Sequence, residues 1–266
     1  METILIVGGG AGGLELATQL GHKLGKKKLA QIVLVDKNTS HIWKPLLHEV
    51  ASGSLDTSTD GVAYSAHGAK HYYQFQHGEM TGLDTQANSI RLAAIFDEDG
   101  DMVVAERHLH YDKLILALGS VSNDFGTPGV AEHCYFLDSP KRADKFHRSL
   151  INNFVRVNQT GNHEDLHIAI VGGGATGVEL SAELYHVAAL AQRYGLAQIN
   201  ANRLRISLIE AGPSILPALP KRISDSVRKE LIKLGVEVLE STKVASAVEN
   251  GFFTAEDKTI RADLMV

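Results

Sequence analysis

Residues 4–15 read ILIVGGGAGGLE, and the pattern returns over residues 168–179 as IAIVGGGATGVE. Each copy sets an apolar strand before a Gly-x-Gly-x-x-Gly turn and the start of a helix, the context that separates a dinucleotide cradle from an ordinary glycine-rich turn. Gly8 allows the sharp turn out of the first strand, Gly10 lets the backbone approach a pyrophosphate, and Gly13 lets the helix pack on the sheet; Gly172, Gly174 and Gly177 repeat the three roles. The helix start then offers unpaired N–H groups and a partial positive charge to phosphate oxygens. A tight turn with no ligand explains one copy well and both together poorly, so the chain is expected to bind two dinucleotides.

Downstream sequence completes both units. Ile32 to Val35 reads as a buried strand ending in Asp36, and Ile206 to Ile209 as one ending in Glu210; either carboxylate is placed to accept hydrogen bonds from a ribose diol. The interval before Glu210 exceeds the usual roughly 20 residues, because a long helix from Thr176 to Tyr194 and the stretch from Tyr194 to Arg203 intervene. The fold class expected is α/β, with two Rossmann-like dinucleotide-binding domains and a small β-meander in each.

Bulk properties narrow the chemistry. With 266 residues and 44% hydrophobic content, the chain can bury the cores of about two domains. A net charge of −5 without a long basic run argues against a nucleic-acid surface, and Lys26-Lys27-Lys28 reads as the solvated end of the first helix. No apolar run approaches the roughly 18 residues of a membrane span, and with a strand entered at Ile4 no signal peptide is expected. The single cysteine, Cys134, fits a reducing compartment and removes the dithiol chemistry of flavin disulfide reductases. Thirteen histidines are scattered without ligand spacing, so no metal is expected.

Between the two fingerprints, helix is expected over Leu14 to Leu24, followed by HIWKPLLHEV over residues 41–50, which holds the only Trp just past the second strand. Strands are expected over Tyr72 to His77, Ser89 to Ile95 and Met102 to His110 as a small meander around the turn at residues 97–101. An apolar strand covers residues 114–120, a crossover residues 123–129, a helix Pro140 to Asn158 and a turn Gly161 to Asp165. Beyond Glu210, a helix is expected over Ile223 to Leu234, a strand over Val236 to Leu239, and a hairpin through Gly251. The chain stops in an apolar strand, Leu264-Met265-Val266, which suggests that a longer chain continues past it.

The stretches GGGAGGLELA, HIWKPLLHEVASGSL, YDKLILALGSVSNDFGTPGV and IVGGGATGVELSAEL resemble the two-dinucleotide flavoproteins of the pyridine-nucleotide-disulfide oxidoreductase superfamily, and within it the type II NADH:quinone oxidoreductases. The resemblance implies FAD on the first fingerprint and NADH on the second. Gly8, Gly10, Ala11, Gly12, Gly13 and Asp36 would bind the ADP half of FAD, with Lys37 and Lys44 nearby and Ala117, Leu118 and Gly119 as a wall over the flavin. Leu118 stands where members often carry Thr, leaving only backbone contacts there. Gly172, Gly174, Thr176 and Gly177 would cradle NADH, and Glu210 would repel a 2′-phosphate and so favour NADH over NADPH. Glu179 matches the family's Gly-Val-Glu acid, implied to lie by the nicotinamide and flavin rings, where it orients the nicotinamide or relays protons; a plain helix-dipole carboxylate is the alternative. Trp43, Pro45 and Leu46 fall in the first quinone-site motif, with ordinary loop packing nearly as good an account.

The expected division is an FAD-binding domain over 1–122, an NADH-binding domain over 123–256, and a return toward the FAD domain over 257–266 with its remainder missing. The expected activity is hydride transfer from NADH to FAD, then two electrons to a membrane quinone without proton pumping. A missing C-terminal segment would hold the full-length protein peripherally on the cytoplasmic face of a bacterial inner membrane; a homodimer is left open. Alternatives are a soluble flavin reductase serving a small iron–sulfur protein and a non-catalytic NADH-binding fragment. Sulfide:quinone chemistry is disfavoured by the lone cysteine.

Overall fold

The computed structural model describes residues 1–159, 165–196 and 203–266. The turn expected from Gly161 falls, except for Asp165, outside the described residues, as do residues 197–202. In chain order the elements are β1 (Glu2–Val7), α1 (Ala11–Leu20), β2 (Ala30–Asp36), β3 (Ser40–His41), α2 (Leu47–Ser52), β4 (Val62–Ala63), α3 (Tyr64–His71), β5 (Gln74–His77), β6 (Met80–Asp84), β7 (Ser89–Leu92), β8 (Ile95–Phe96), β9 (Met102–Val104), β10 (Arg107–His110) and β11 (Lys113–Leu116). There follow α4 (Val130–His133), α5 (Pro140–Gln159), β12 (Leu166–Val171), α6 (Ala175–Arg193), β13 (Leu204–Ile209), α7 (Lys221–Leu234), β14 (Glu237–Leu239), β15 (Val244–Val248), β16 (Gly251–Thr254), β17 (Thr259–Arg261) and β18 (Leu264–Met265).

The chain forms two compact units. The first comprises Met1–Lys44 and Ser58–Ser120, the second Pro45–Thr57 and Val121–Val266. In the first, a parallel sheet of order β11-β1-β2-β5 is apolar on both faces, as parallel strands covered on both sides must be. Alternation sends Ile4, Ile6, Ile32 and Leu34 toward Ala17 of α1 and Tyr64 of α3. Leu5, Val7, Val33 and Val35 face Ile90 and Leu92 of an antiparallel meander, β10-β7-β6.

Three expectations change here. The strand expected over Tyr72 to His77 is β5, and it extends the parallel sheet rather than the meander. Its place is taken by β6, which MTGLD conceals because Gly82 interrupts the apolar alternation at a register shift. The first helix ends at Leu20 and continues as one π-helical turn, Gly21–Gly25, whose two glycines lie close against the backbone of His71 and Tyr72.

The second unit repeats the plan, with a parallel sheet of order β14-β13-β12-β18 and a meander β15-β16-β17. Ala169 and Ile209 of its sheet face Ala247, Phe252 and Ala262 of its meander. In α5, Ala143, Phe146, Leu150, Phe154 and Val157 recur at helical spacing and are buried.

The division differs from the one expected at 122/123. Residues 257–266 stay in the second unit instead of returning to the first: β17 pairs with β16, and β18 lies parallel to β12. Residues 45–57 also belong to the second unit. There α2 buries Leu47, Val50 and Ala51 and packs on α5 and α6. It ends at Gly53, whose φ of 89° suits glycine and whose missing side chain admits the His147 ring.

Candidate functional site

The first cradle is fixed by backbone geometry. Gly8 leaves β1 at φ 105°, and its N–H donates to Val35 O at 2.8 Å, tying the turn to the end of β2. A methyl group on Gly13 would lie 1.8 Å from Gly8 O, so helix and strand meet where only glycine fits. Gly10 and Gly12 differ: a methyl group on either would meet no atom of the described residues within 4 Å. Their hydrogens face open space at the N-terminus of α1, where Gly10 supplies no side-chain cap. Donors without a protein partner beside a space that side chains would fill suit a pyrophosphate.

Asp36 at the end of β2 accepts the Gly9 N–H at 2.7 Å on one oxygen and the Asn38 N–H at 2.7 Å on the other. Beneath the turn, the buried Tyr64 hydroxyl donates to Gly9 O at 2.7 Å. Burial, then the Asp36 charge, raises this phenol well above its ordinary pKa and keeps it a donor. Ala117 backs the same turn, since a side chain on Gly8 would strike its carbonyl, and the Ala117 N–H donates to Val7 O at 2.8 Å. Lys44 reaches this wall, its Nζ donating to Ser120 O at 2.6 Å. Gly119 sits at φ 71°, and Leu118 exposes its side chain to solvent. Lys37 instead makes a solvent-exposed pair with Glu79 at 3.6 Å, a contact of small energetic weight.

The second cradle matches the first. Gly172 turns at φ 113° and donates to Ile209 O at 2.8 Å. A methyl group on Gly177 would sit 2.1 Å from Gly172 O, whereas Gly172 and Gly174 face open space. Glu210 accepts the Gly173 N–H at 2.8 Å and the Gly212 N–H at 2.6 Å. In both units, then, the carboxylate at the end of the second strand clamps the middle glycine of the Gly-Gly-Gly run. Gly9, Gly173, Tyr64 and Asn38 were not singled out from sequence; the middle glycine of each run of three, superfluous to the Gly-x-Gly-x-x-Gly pattern, was the available signal. Thr176 is exposed in the first turn of α6.

Glu179 follows in the same helix, its side chain 49% exposed, with Oε2 3.4 Å from Nδ1 of the buried His48. Trp43 is 55% exposed and belongs to the first unit, while the exposed Pro45 and half-buried Leu46 belong to the second. Among the described residues, no cluster of three or more ligating side chains could hold a metal, and no helix is long and apolar enough to cross a membrane.

The sequence matches the family described as pyridine nucleotide-disulphide oxidoreductase over residues 2–266, and the chain belongs to that family. Its relatives include type II NADH:quinone oxidoreductases. The one from Haemophilus influenzae is 43% identical over 281 aligned residues, covering 100% of this chain and 63% of that protein. The one from Staphylococcus aureus is 28% identical, covering 96% of this chain and 60% of that protein. The structure of NDH2 from Plasmodium falciparum in complex with NADH superimposes with a TM-score of 0.83 at 25% identity, over 99% of this chain and 54% of that one. The chain thus spans about three-fifths of the length of the relatives it matches.

Proposed function

We propose that this chain supplies the FAD-binding and NADH-binding units of a type II NADH:quinone oxidoreductase. The observation that carries the reading is the paired cradle: two glycine turns with open space at Gly10, Gly12, Gly172 and Gly174, each closed by a strand-end carboxylate. FAD fits the first cradle and NADH the second. FAD held by the first cradle would supply a hydride acceptor for NADH and a two-electron donor for quinone.

The protein's own residues bind, orient and select. The α1 and α6 N-termini hold the two pyrophosphates, and Gly8, Gly13, Gly172 and Gly177 set the distance between helix and strand. Asp36 and Glu210, each anchored by two backbone N–H groups, keep lone pairs for a ribose diol; the Glu210 charge disfavours a 2′-phosphate. Lys44 fixes the Ala117–Ser120 wall. Glu179 orients the nicotinamide or carries a proton beside it, and Trp43, Pro45 and Leu46 contribute to the quinone site. The membrane surface on the cytoplasmic side is the working location.

Anaerobic absorbance spectroscopy of the flavin-loaded protein tests this. NADH should bleach the flavin band, NADPH should do so far less, and a soluble quinone should restore it. A protein that takes up no FAD, or whose flavin is indifferent to NADH, would refute the reading.

A further inference from the structure

The segment 45–57 is joined to α6 by two contacts one helical turn apart. His48 meets Glu179, and the Ser54 hydroxyl donates to Glu183. It is held to α5 as well, through Gly53 over the His147 ring and Thr57 Oγ1 to Asp144 at 3.4 Å. With Leu47, Val50 and Ala51 buried besides, docking has ample anchors without the half-exposed Glu179 carboxylate. The His48 contact is one anchor among several, and it is the one that reaches the Gly-Val-Glu acid of α6.

The His48 ring is buried, and its Nδ1 lies 2.8 Å from Pro45 O and 3.4 Å from Glu179 Oε2, while Nε2 lies 4.0 Å from Glu49 Oε1. The Nδ1–H donates to Pro45 O, which fixes the ring, and the Glu179 carboxylate lies at ion-pair distance from the same ring nitrogen. We propose that His48 is the positioning residue of Glu179: held by Pro45, it removes the rotamer freedom of the carboxylate beside the second cradle and so sets the rate of NADH oxidation. The proposal rests on the reading that NADH occupies that cradle.

Stopped-flow reduction of the flavin-loaded protein by NADH separates the outcomes. Glu179→Gln should slow flavin reduction, and His48→Leu should slow it by about tenfold with a smaller change in NADH Kd. His48→Asn, whose amide nitrogen takes the place of Nδ1, should stay within about twofold of the wild type. The double variant His48→Leu/Glu179→Gln should be no slower than Glu179→Gln alone, because coupled residues are not additive. Ser54→Ala should lower the melting temperature and leave the rate unchanged.

A packing role predicts the reverse order, Leu better than Asn, and that result, a wild-type rate in His48→Leu or additive single effects would overturn the proposal while leaving NADH binding intact. A flavin that NADH does not bleach, or a Glu179→Gln variant that is not slowed, overturns the underlying role of Glu179 and His48 with it. If His48→Leu loses flavin, His48→Asn against His48→Gln decides: the longer amide misses the Nδ1 position, so Gln should be slow, and equal rates overturn the assignment.

Discussion

Glycines of one motif answer to different constraints, and substitution separates them. A methyl group on Gly174 meets no atom of the described residues within 4 Å, and its φ of −73° is open to any residue, so Gly174→Ala should fold normally. It should nonetheless weaken NADH about tenfold, because the methyl group occupies the space of the pyrophosphate. Gly177→Ala places its methyl 2.1 Å from Gly172 O and should lower both melting temperature and affinity. Paired thermal melts and NADH titrations check this; equal behaviour of the two would contradict it. Glu210 admits a second test. Glu210→Gln removes the charge and keeps an acceptor for only one of the Gly173 and Gly212 N–H groups, so the preference for NADH over NADPH should fall by about tenfold. Unchanged selectivity in steady-state assays would place the selecting charge elsewhere.

At the scale of elements, α2 is the sensitive piece. It is only six residues long and ends at Gly53, where a side chain would be strained by φ 89° and would collide with His147 Cε1. Gly53→Ala should loosen residues 45–57 from α5 and α6, read as faster amide exchange there with the parallel sheets unaffected. Uniform exchange across the second unit would show that α2 is not a separable element. The same short helix shows where sequence reading reaches its limit. The parallel strands other than β5, both glycine turns, α5, α6 and both strand-end carboxylates were legible, because apolar runs, periodicity and glycine spacing are local signals. The partner of residues 45–57 was not, since Leu47 and Val50 advertise burial without naming the surface that buries them. Strand β6 escaped through Gly82, and α3 through a sequence, YSAHGAKH, with little apolar face. His48 looked like one of thirteen scattered histidines; only long-range packing brings it to Glu179.

For the molecule as a whole, alkaline stability should be limited by buried acids in both units. Burial pushes the Cys134 thiol up to about 11 and the Tyr73 phenol up to about 12, and raises Tyr64 as well. Above their ordinary values near 9.0 and 10.0 the unfolded chain releases these protons while the native state retains them, so stability present at neutral pH declines as pH climbs through that window. The melting temperature should hold to about pH 9 and fall beyond it; a flat profile to pH 11 would contradict the burial of these groups. The crossing of the chain between its units also orders events in time. Residues 45–57 leave the ribosome early, yet Glu179 and Glu183, the side chains that receive them, are made more than a hundred residues later. During synthesis the segment must wait with its apolar side chains uncovered until α5 exists, and its docking is complete only with α6. Its capture is a late, high-contact-order step, and the interval before it is when the nascent protein is most open to misassociation and to chaperones.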